Sequence, residues 1–130
     1  MYDRLEIFQM ANGLARHAAA RQAAIAGNVA NADTPGYRAR DVAPFSETYR
    51  AEQDGRGLRA TRAGHSGAMT ETAGDYRIID RPGFSAPNGN TVSLETEMMN
   101  ATEVRHQHEM ALTVYQSAMN ILRTALGRGR

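Results

Sequence analysis

A long alanine-rich helical pattern stops between residues 28 and 37, where two asparagines one helical turn apart precede a Thr-Pro-Gly-Tyr turn. An asparagine side chain can bond nearby backbone groups where a helix unwinds. Pro35 and Gly36 fit the central positions of a type II turn, in which glycine supplies the positive φ. We expect Tyr37 to pack back on the helix with its hydroxyl in water. The stretch predicts a fixed structural joint, although the turn alone also suits an ordinary helix end. The residues of this joint are Asn28, Asn31, Thr34, Pro35, Gly36 and Tyr37.

The helical pattern before the joint covers about residues 3–32 and carries two apolar rows. Alanine, the strongest helix former, recurs throughout it. Two rows imply two packing faces, and their small side chains allow close approach of neighbouring helices. The first row is Ile7, Ala11, Leu14, Ala18 and Ile25, with Arg21 in the gap. The second row is Leu5, Phe8, Ala15, Ala19, Ala26 and Val29.

A second long helical pattern covers residues 93–126, with Ser93 as its predicted N-cap and Gly127 at its exit. A heptad row with alternating spacings of four and three residues runs along it and is expected to pack in a helical hairpin. This row is Leu94, Met98, Ala101, Arg105, His108, Leu112, Tyr115, Met119, Leu122 and Leu126. A second row, expected to face neighbouring molecules, is Val104, Ala111, Val114, Ala118, Ile121 and Ala125. The residues predicted to carry helix packing are Leu14, Ile25, Leu94, Met98, Leu112, Tyr115, Met119 and Leu122.

The predicted fold is all-α: two long terminal helices form an N-to-C helical hairpin or coiled coil, joined by a mostly irregular middle segment. Three zones follow from the pattern: residues 1–40 hold the first helix and the joint, residues 41–90 a flexible Gly/Pro-rich segment, and residues 91–130 the last helix. Within the middle zone only residues 76–79 resemble a short β-strand. An irregular segment this long is unusual in a compact domain, so we expect it to be mobile or ordered by partners.

Composition argues against a self-sufficient core. The chain has 130 residues, of which 42% are hydrophobic but only 6% aromatic, with no Trp. Small domains bury a smaller share of their surface, so we expect neighbouring subunits to complete this one. The net charge of +1 favours neither nucleic acid nor a membrane surface. No apolar run is long enough to span a bilayer, and no cleavable signal peptide is visible, so any export must use a route without one.

Catalytic and ligand-binding motifs are weak throughout. Cysteine and lysine are both absent, which excludes thiolate chemistry, Schiff bases and a P-loop. Residues 64–68 lack the last glycine of a nucleophile elbow, and residues 55–60 match a dinucleotide fingerprint without the preceding strand. His106 and His108 face about 200° apart on a helix, so they do not share a metal ion. We therefore predict no enzyme activity, no cofactor and no metal; the arginines at 56, 59 and 62 are expected to be solvated rather than to bind nucleic acid.

Several of these segments resemble a known family. The pattern Asn28-x-x-Asn31-x-x-Thr34-Pro35-Gly36-Tyr37 resembles the N-terminal signature of flagellar rod and hook axial proteins. The residues at 38–41 continue the likeness, and those at 90–98 resemble the segment that opens the terminal helix of that family. Residues 122–126 resemble the closing residues of a proximal rod protein, one member of the family. The resemblance covers about residues 1–45 and 88–128.

The resemblance implies a structural subunit of the bacterial flagellar basal-body rod. Such a subunit leaves the cytoplasm through the flagellar type III export apparatus without a cleaved signal and assembles in the periplasm as a helical tube. Its implied partners are like subunits, other rod proteins, the rod-base adaptor and MS-ring proteins, and the export apparatus; no nucleic acid or small-molecule substrate is implied. An alternative is a soluble helical-hairpin adaptor or export chaperone, which would be a stable cytoplasmic homodimer absent from basal bodies.

Overall fold

Two long helices lie side by side along the molecule in the computed structural model, which describes residues 2–54, 72–73 and 76–127. Over these ranges the elements, in chain order, are α1 (Tyr2–Ala30), β1 (Arg40–Val42), α2 (Phe45–Asp54), β2 (Thr72–Ala73), β3 (Tyr76–Asp80) and α3 (Leu94–Gly127). The predicted architecture of two long terminal helices with a small β element is confirmed.

Helices α1 and α3 form an antiparallel hairpin. At one end the rings of Phe8 and Tyr115 meet edge to face, with centroids 5.3 Å apart. At the other end the side-chain amide of Asn28 donates to Glu97 over 3.2 Å. Residues early in α1 therefore meet residues late in α3. With 29 and 34 residues, the two helices are about 44 and 51 Å long at ~1.5 Å per residue.

The contact between the two helices is made largely by small side chains. Ala11, Ala18 and Ile25 of α1 are buried, as are Val104 and Ala111 of α3, and none of the five exceeds 4% exposure. Alanines on both helices let the backbones approach closely, but they bury little apolar area each. Ala11, Ala18 and Ile25 belong to the first predicted row of α1, so that row faces α3.

The row of α3 that is buried against α1 differs in part from the predicted one, of which Ala101 and Tyr115 do contact the α1 side. Glu97, Val104 and Ala111 are buried, whereas Met98 is 71% and Leu112 is 45% exposed. Each buried residue lies one position before a member of the predicted row, and Val104 and Ala111 come from the row expected to face other molecules. The reason is that Ala111 lets α1 come close, whereas a leucine or methionine would hold it away. Glu97 tolerates burial because an arginine neutralises it.

The middle of the chain holds more regular structure than its sequence indicates. The described strands form an antiparallel sheet in the order β1-β3-β2, with Val42 opposite Ile78 at one end of the β1–β3 pairing. Besides the predicted strand β3, the structure contains β1, β2 and the ten-residue helix α2. Phe45 and Tyr49, one helical turn apart with ring centroids 5.7 Å apart, form the apolar edge of α2. Two aromatic residues are too few to establish a helical hydrophobic periodicity, so the sequence does not predict α2, which depends on packing against α1.

His17 connects α1 to this middle layer. Its side chain is only 4% exposed, and Nε2 lies 2.7 Å from the carbonyl oxygen of Ala43. Because a carbonyl only accepts, Nε2 carries the proton, and Nδ1 is buried without a partner among the described residues. The rings of Phe45 and Tyr76 meet the imidazole edge on, and the Tyr76 hydroxyl donates to the carbonyl of Gly13 over 3.1 Å. These contacts fix the position of the sheet against α1.

Several sequence motifs lie outside the described residues. These are the glycine-containing motifs at 55–60 and 64–68 and the arginines at 56, 59 and 62. The last three residues of the predicted C-terminal zone, 128–130, also lie outside the described ranges. Within the described ranges, no helix combines the length and the apolar content that crossing a bilayer requires.

Candidate functional site

The joint contains the turn that its sequence predicts. The backbone N–H of Tyr37 donates to the carbonyl of Thr34 over 3.3 Å, and Gly36 has φ +72°, which are the features of a type II turn. A second turn lies directly against it: the N–H of Gly36 donates to the carbonyl of Asn88 over 2.9 Å. A Cβ on Gly89 would lie 3.3 Å from the Cα of Gly36, so the two turns meet backbone to backbone.

Asn31 and Asn90 hold these two turns together. The Asn31 amide donates back to the carbonyl of Gly27 over 2.8 Å, and its oxygen accepts from the Thr34 hydroxyl over 3.2 Å. Asn90, which is 3% exposed, donates to the carbonyls of Asn31 and Thr34 over 2.9 and 2.8 Å. The end of α1 therefore receives its hydrogen bonds from a residue 59 positions later in the chain.

Asn28 is the centre of the joint and is fully buried. Its oxygen accepts from the N–H of Arg40 over 2.9 Å and from the Tyr37 hydroxyl over 3.3 Å. Its amide donates to the carbonyl of Arg40 over 2.7 Å and to Glu97 over 3.2 Å. All four partners of a primary amide are thus provided. Tyr37 packs back on α1 as expected and its hydroxyl donates to Asn28, while the expected contact of that hydroxyl with water stays a prediction.

An alternating chain of charges extends this site across the molecule. Arg81 binds Glu97 with one guanidinium nitrogen and Asp41 with another, the second over 2.8 Å. Asp41 also accepts from Nε of Arg21 over 3.1 Å. The four side chains are 1–18% exposed. Two carboxylates and two guanidinium groups balance, which is the condition under which buried ions persist in a protein interior. We call Arg21, Asn28, Asp41, Arg81 and Glu97 the joint network.

Asp41 has a perturbed acidity. Burial disfavours its carboxylate and works to raise its pKa, but the hydrogen bonds from Arg81, from the backbone N–H of Val42 and from Arg21 outweigh burial. The net result is a pKa below the ordinary value of 3.8. The Asp41 carboxylate is therefore charged at neutral pH and holds both arginines in place.

The joint network unites elements that are distant in sequence. Arg21 and Asn28 come from α1, Asp41 from β1, Arg81 follows β3, and Glu97 lies in the first turn of α3. Of the predicted joint residues, Asn28 is buried, Asn31 and Tyr37 are half-buried, and the rest of the turn is exposed. The functional role predicted for these residues stays a prediction.

The network residues outside the joint lacked a clear sequence signal. Glu97 is typical of the first turn of a helix, where acidic residues favour the helix dipole, and nothing in its sequence neighbours indicates burial. Arg81 precedes a Pro-Gly pair, a pattern that is typical of a turn. The available signal was the segment at 90–98, which contains both Asn90 and Glu97 and resembles the family segment that opens the terminal helix.

The residues predicted to carry helix packing fall into two groups. Ile25 is buried, and Leu14, Met119 and Leu122 are half-buried. The others are 44–71% exposed: Leu94, Met98, Leu112 and Tyr115. Of these four, Tyr115 still contacts α1 through the ring of Phe8, and a role of the exposed side chains in contacts with other subunits stays a prediction.

Two apolar grooves flank the far end of the hairpin, where α1 begins and α3 ends. The wide groove, of about 650 Å³, is lined by Leu5, Phe8, Leu112, Tyr115, Met119 and Leu122 together with small and amide side chains. The narrow groove, of about 260 Å³, is lined by Ile7, Phe8, Val114, Ala118 and Ile121 with two hydroxyl residues. Phe8 forms the wall that both grooves share.

Nothing in the described part of the chain forms a metal centre. Among those residues, no three His, Asp or Glu side chains lie close enough together to hold an ion. His106 and His108 are both exposed on α3. The buried carboxylates of the joint network are engaged by arginines instead.

Comparisons with known proteins agree on one family. A family model described as "Flagella basal body rod protein" matches residues 11–38, which include most of α1 and the whole joint. The flagellar basal body rod protein FlgB of Salmonella typhimurium is 36% identical over 121 residues, covering 85% of this chain and 86% of that protein. Its counterpart from Escherichia coli is 35% identical, covering 82% and 85%, and that from Agrobacterium fabrum is 29% identical, covering 87% of both. The chain belongs to the FlgB family of flagellar basal body rod proteins.

Proposed function

We propose that this rod protein works as a structural subunit in which the joint network sets the geometry of the helical hairpin, while the outer faces of α1 and α3 bind neighbouring subunits. The observation that carries the proposal is Asn28, a fully buried amide with all four hydrogen bonds made, which links α1 to β1 and α3. A polar group so placed specifies one arrangement of three elements, since any shift leaves buried donors or acceptors unpaired.

The exposed apolar side chains support contacts with other subunits. Met98, Met99 and Leu126 are 71–75% exposed, and Leu112, Val114 and Ile121 are 42–59% exposed. These side chains lie on two sides of α3, Met98, Leu112 and Leu126 on one and Met99, Val114 and Ile121 on the other, and exposed apolar surfaces mark interaction sites. Contacts between unlike faces of identical subunits generate helical assemblies rather than closed dimers, as a rod requires.

Assembly with other rod components follows from the family. We further propose that the partners include the rod-base adaptor and MS-ring proteins, and that the chain reaches the periplasm through the flagellar export apparatus without losing a signal peptide. The paucity of large core side chains supports passage as an unfolded chain, because a small core lowers the free energy of unfolding.

The alternative function, a soluble helical-hairpin adaptor or export chaperone, gains no support from the relatives, which carry the name of a rod protein. Its distinguishing property would be a stable cytoplasmic dimer. No contact in the described part of the chain favours such a dimer over an open assembly.

Electron microscopy of envelope preparations from a strain lacking the gene tests the proposed function. The expected result is membrane rings without a completed rod, hook or filament, restored by the wild-type gene. Intact flagella in the deletion strain would overturn the assignment as a rod subunit.

A further inference from the structure

Phe84 is the most exposed large apolar residue of the described chain, at 102% of its reference area. The segment that carries it is held at both sides. The N–H of Arg81 donates to the carbonyl of Ala39 over 2.8 Å, and the N–H of Ala86 donates to the carbonyl of Asn90 over 2.8 Å. A phenyl ring held in water by an anchored backbone is typical of a preorganised binding anchor.

The narrow groove at the far end of the hairpin has the complementary properties. Its walls are the apolar side chains of Ile7, Phe8, Val114, Ala118 and Ile121. Within the described residues Ile7, Val114 and Ile121 remain 41–59% exposed. Its volume of about 260 Å³ exceeds the roughly 150 Å³ of an apolar cavity that binds benzene, so a phenyl ring fits.

The anchor and the groove lie at opposite ends of the molecule. Phe84 precedes the turn that packs on the joint, and the joint lies at the C-terminal end of α1. Phe8, which lines the groove, lies near the other end of α1, about 30 Å away at ~1.5 Å per residue. The ring therefore does not reach its own groove. A surface anchor that matches a pocket elsewhere on the same molecule makes a heterologous contact, which propagates instead of closing.

We propose that Phe84 of one copy of this chain docks in the narrow groove of a second copy. This inference rests on the proposed function, because it names one contact between subunits of the assembled rod. A single aromatic side chain buries about 150–250 Å², far less than the ~1,200 Å² of a stable protein interface. The contact therefore acts together with others in the assembly and does not produce a stable dimer in solution.

Engineered cysteines test the contact directly, because the natural chain contains none. The variant with both Phe84→Cys and Val114→Cys is expressed as the sole copy, and basal bodies are purified, oxidised and run on non-reducing gels. A ladder of covalent dimers and higher oligomers is expected, since each copy offers one anchor position and one groove position. The control combines Phe84→Cys with Arg123→Cys, about 180° round α3 from position 114; it should stay monomeric.

Each of the other possible outcomes of the cross-linking experiment would overturn one specific part of the proposal. Dimers of the single Phe84→Cys variant would show a symmetric contact and overturn the heterologous one. A disulfide within one chain, or one to a different basal-body protein, identified by mass spectrometry, would overturn the second copy as occupant. If the variant with both Phe84→Cys and Val114→Cys is present in basal bodies but never cross-links, the proposed contact is overturned and the proposed function is not. Absence of the wild-type chain from basal bodies overturns the proposed function itself.

Competition between wild-type and variant chains measures how much the Phe84 side chain contributes to incorporation into basal bodies. In cells that express wild-type and Phe84→Ser chains equally, we expect basal bodies to contain about tenfold more wild-type chain, the ratio that burial of one phenylalanine side chain supports. Ser85→Ala, an exposed neighbour, should be incorporated equally with wild type. Equal incorporation of Phe84→Ser would contradict the contact, provided that circular dichroism shows both variants folded alike.

Discussion

Asn28 and Glu97 lie 69 residues apart in the sequence, yet they share a hydrogen bond of 3.2 Å, and their side chains are 0% and 1% exposed. One belongs to the last turns of α1 and the other to the first turn of α3. This contact helps to set the register of the helical hairpin, because sliding α3 by one turn would separate the buried Glu97 carboxylate from Asn28 and leave one N–H of that buried amide unpaired.

Removing the Asn28 amide should destabilise the whole molecule. Asn28→Ala removes the Asn28 partner from the N–H and C=O of Arg40 and from one oxygen of the buried Glu97 carboxylate, and a buried polar group that loses its partner costs about 1–3 kcal/mol. Urea unfolding followed by circular dichroism measures the change. Asn12→Ala, at an exposed position of the same helix, should change stability by less than about 0.5 kcal/mol. Equal effects of the two substitutions would contradict the role given to Asn28.

We expect the joint to require glycine at position 36 because of the positive φ there, and not because a larger side chain would clash. A Cβ there meets nothing within 4 Å, but φ is +72°, a region that costs an ordinary residue about 1–2 kcal/mol. Gly36→Val should therefore lower the free energy of unfolding by at least that amount and block rod assembly more than export. Gly36→Asn should lose less, because asparagine tolerates positive φ.

Gly127 provides the matched control for this prediction. A Cβ at Gly127 also meets nothing within 4 Å, and the residue ends α3 without the positive φ of Gly36. Gly127→Val should leave the thermal midpoint nearly unchanged. Normal rods in the Gly36→Val strain, counted by electron microscopy, would count against the joint as an assembly element.

Acid should weaken the joint network through Asp41. Its pKa in the folded chain lies below the ordinary value of 3.8, so the unfolded chain binds the proton more readily. The stability that Asp41 contributes is complete above about pH 5 and is lost progressively as the pH falls through the unfolded value of 3.8 towards the depressed folded pKa. Unfolding free energies of wild type and Asp41→Asn, measured between pH 2 and 6, should converge at the acid end. Parallel curves over that range would refute the assignment.

Two neighbouring residues of α3 should behave oppositely on substitution. Ala111 is 1% exposed against α1, so Ala111→Leu should overpack the hairpin and destabilise it by about 1–3 kcal/mol. Leu112 is 45% exposed, so Leu112→Ala should change the stability of the isolated chain by no more than about 0.5 kcal/mol. If the exposed row binds neighbouring subunits, Leu112→Ala should instead reduce incorporation into basal bodies. A large loss of stability in Leu112→Ala would restore the originally predicted packing row.

Local signals allowed much of the fold to be predicted. Alanine-rich periodicity, the Ser93 N-cap and the Pro35-Gly36 pair each act within a few residues, so both helices and the turn could be read from the sequence. Helix α2 was not predicted, because it depends on a tertiary contact: Phe45 packs on His17 of α1, and Tyr49 packs on Phe45. Only part of the candidate site could be predicted from the sequence. The joint residues form a recognisable sequence pattern, whereas Arg81 and Glu97 are typical of an ordinary turn and of an ordinary helix start.

The amino-acid sequence alone determined two long helices, the turn between residues 34 and 37, and the family to which the chain belongs. Only the tertiary structure decided which row of α3 meets α1 and which polar groups are buried. The adjacent rows that contain Val104-Ala111 and Met98-Leu112 each combine apolar with polar residues, so hydrophobicity alone does not choose between them. The choice depends on the close approach that alanines permit and on the pairing of Glu97 with Arg81 and Asn28, contacts between residues that the chain brings together only when it folds.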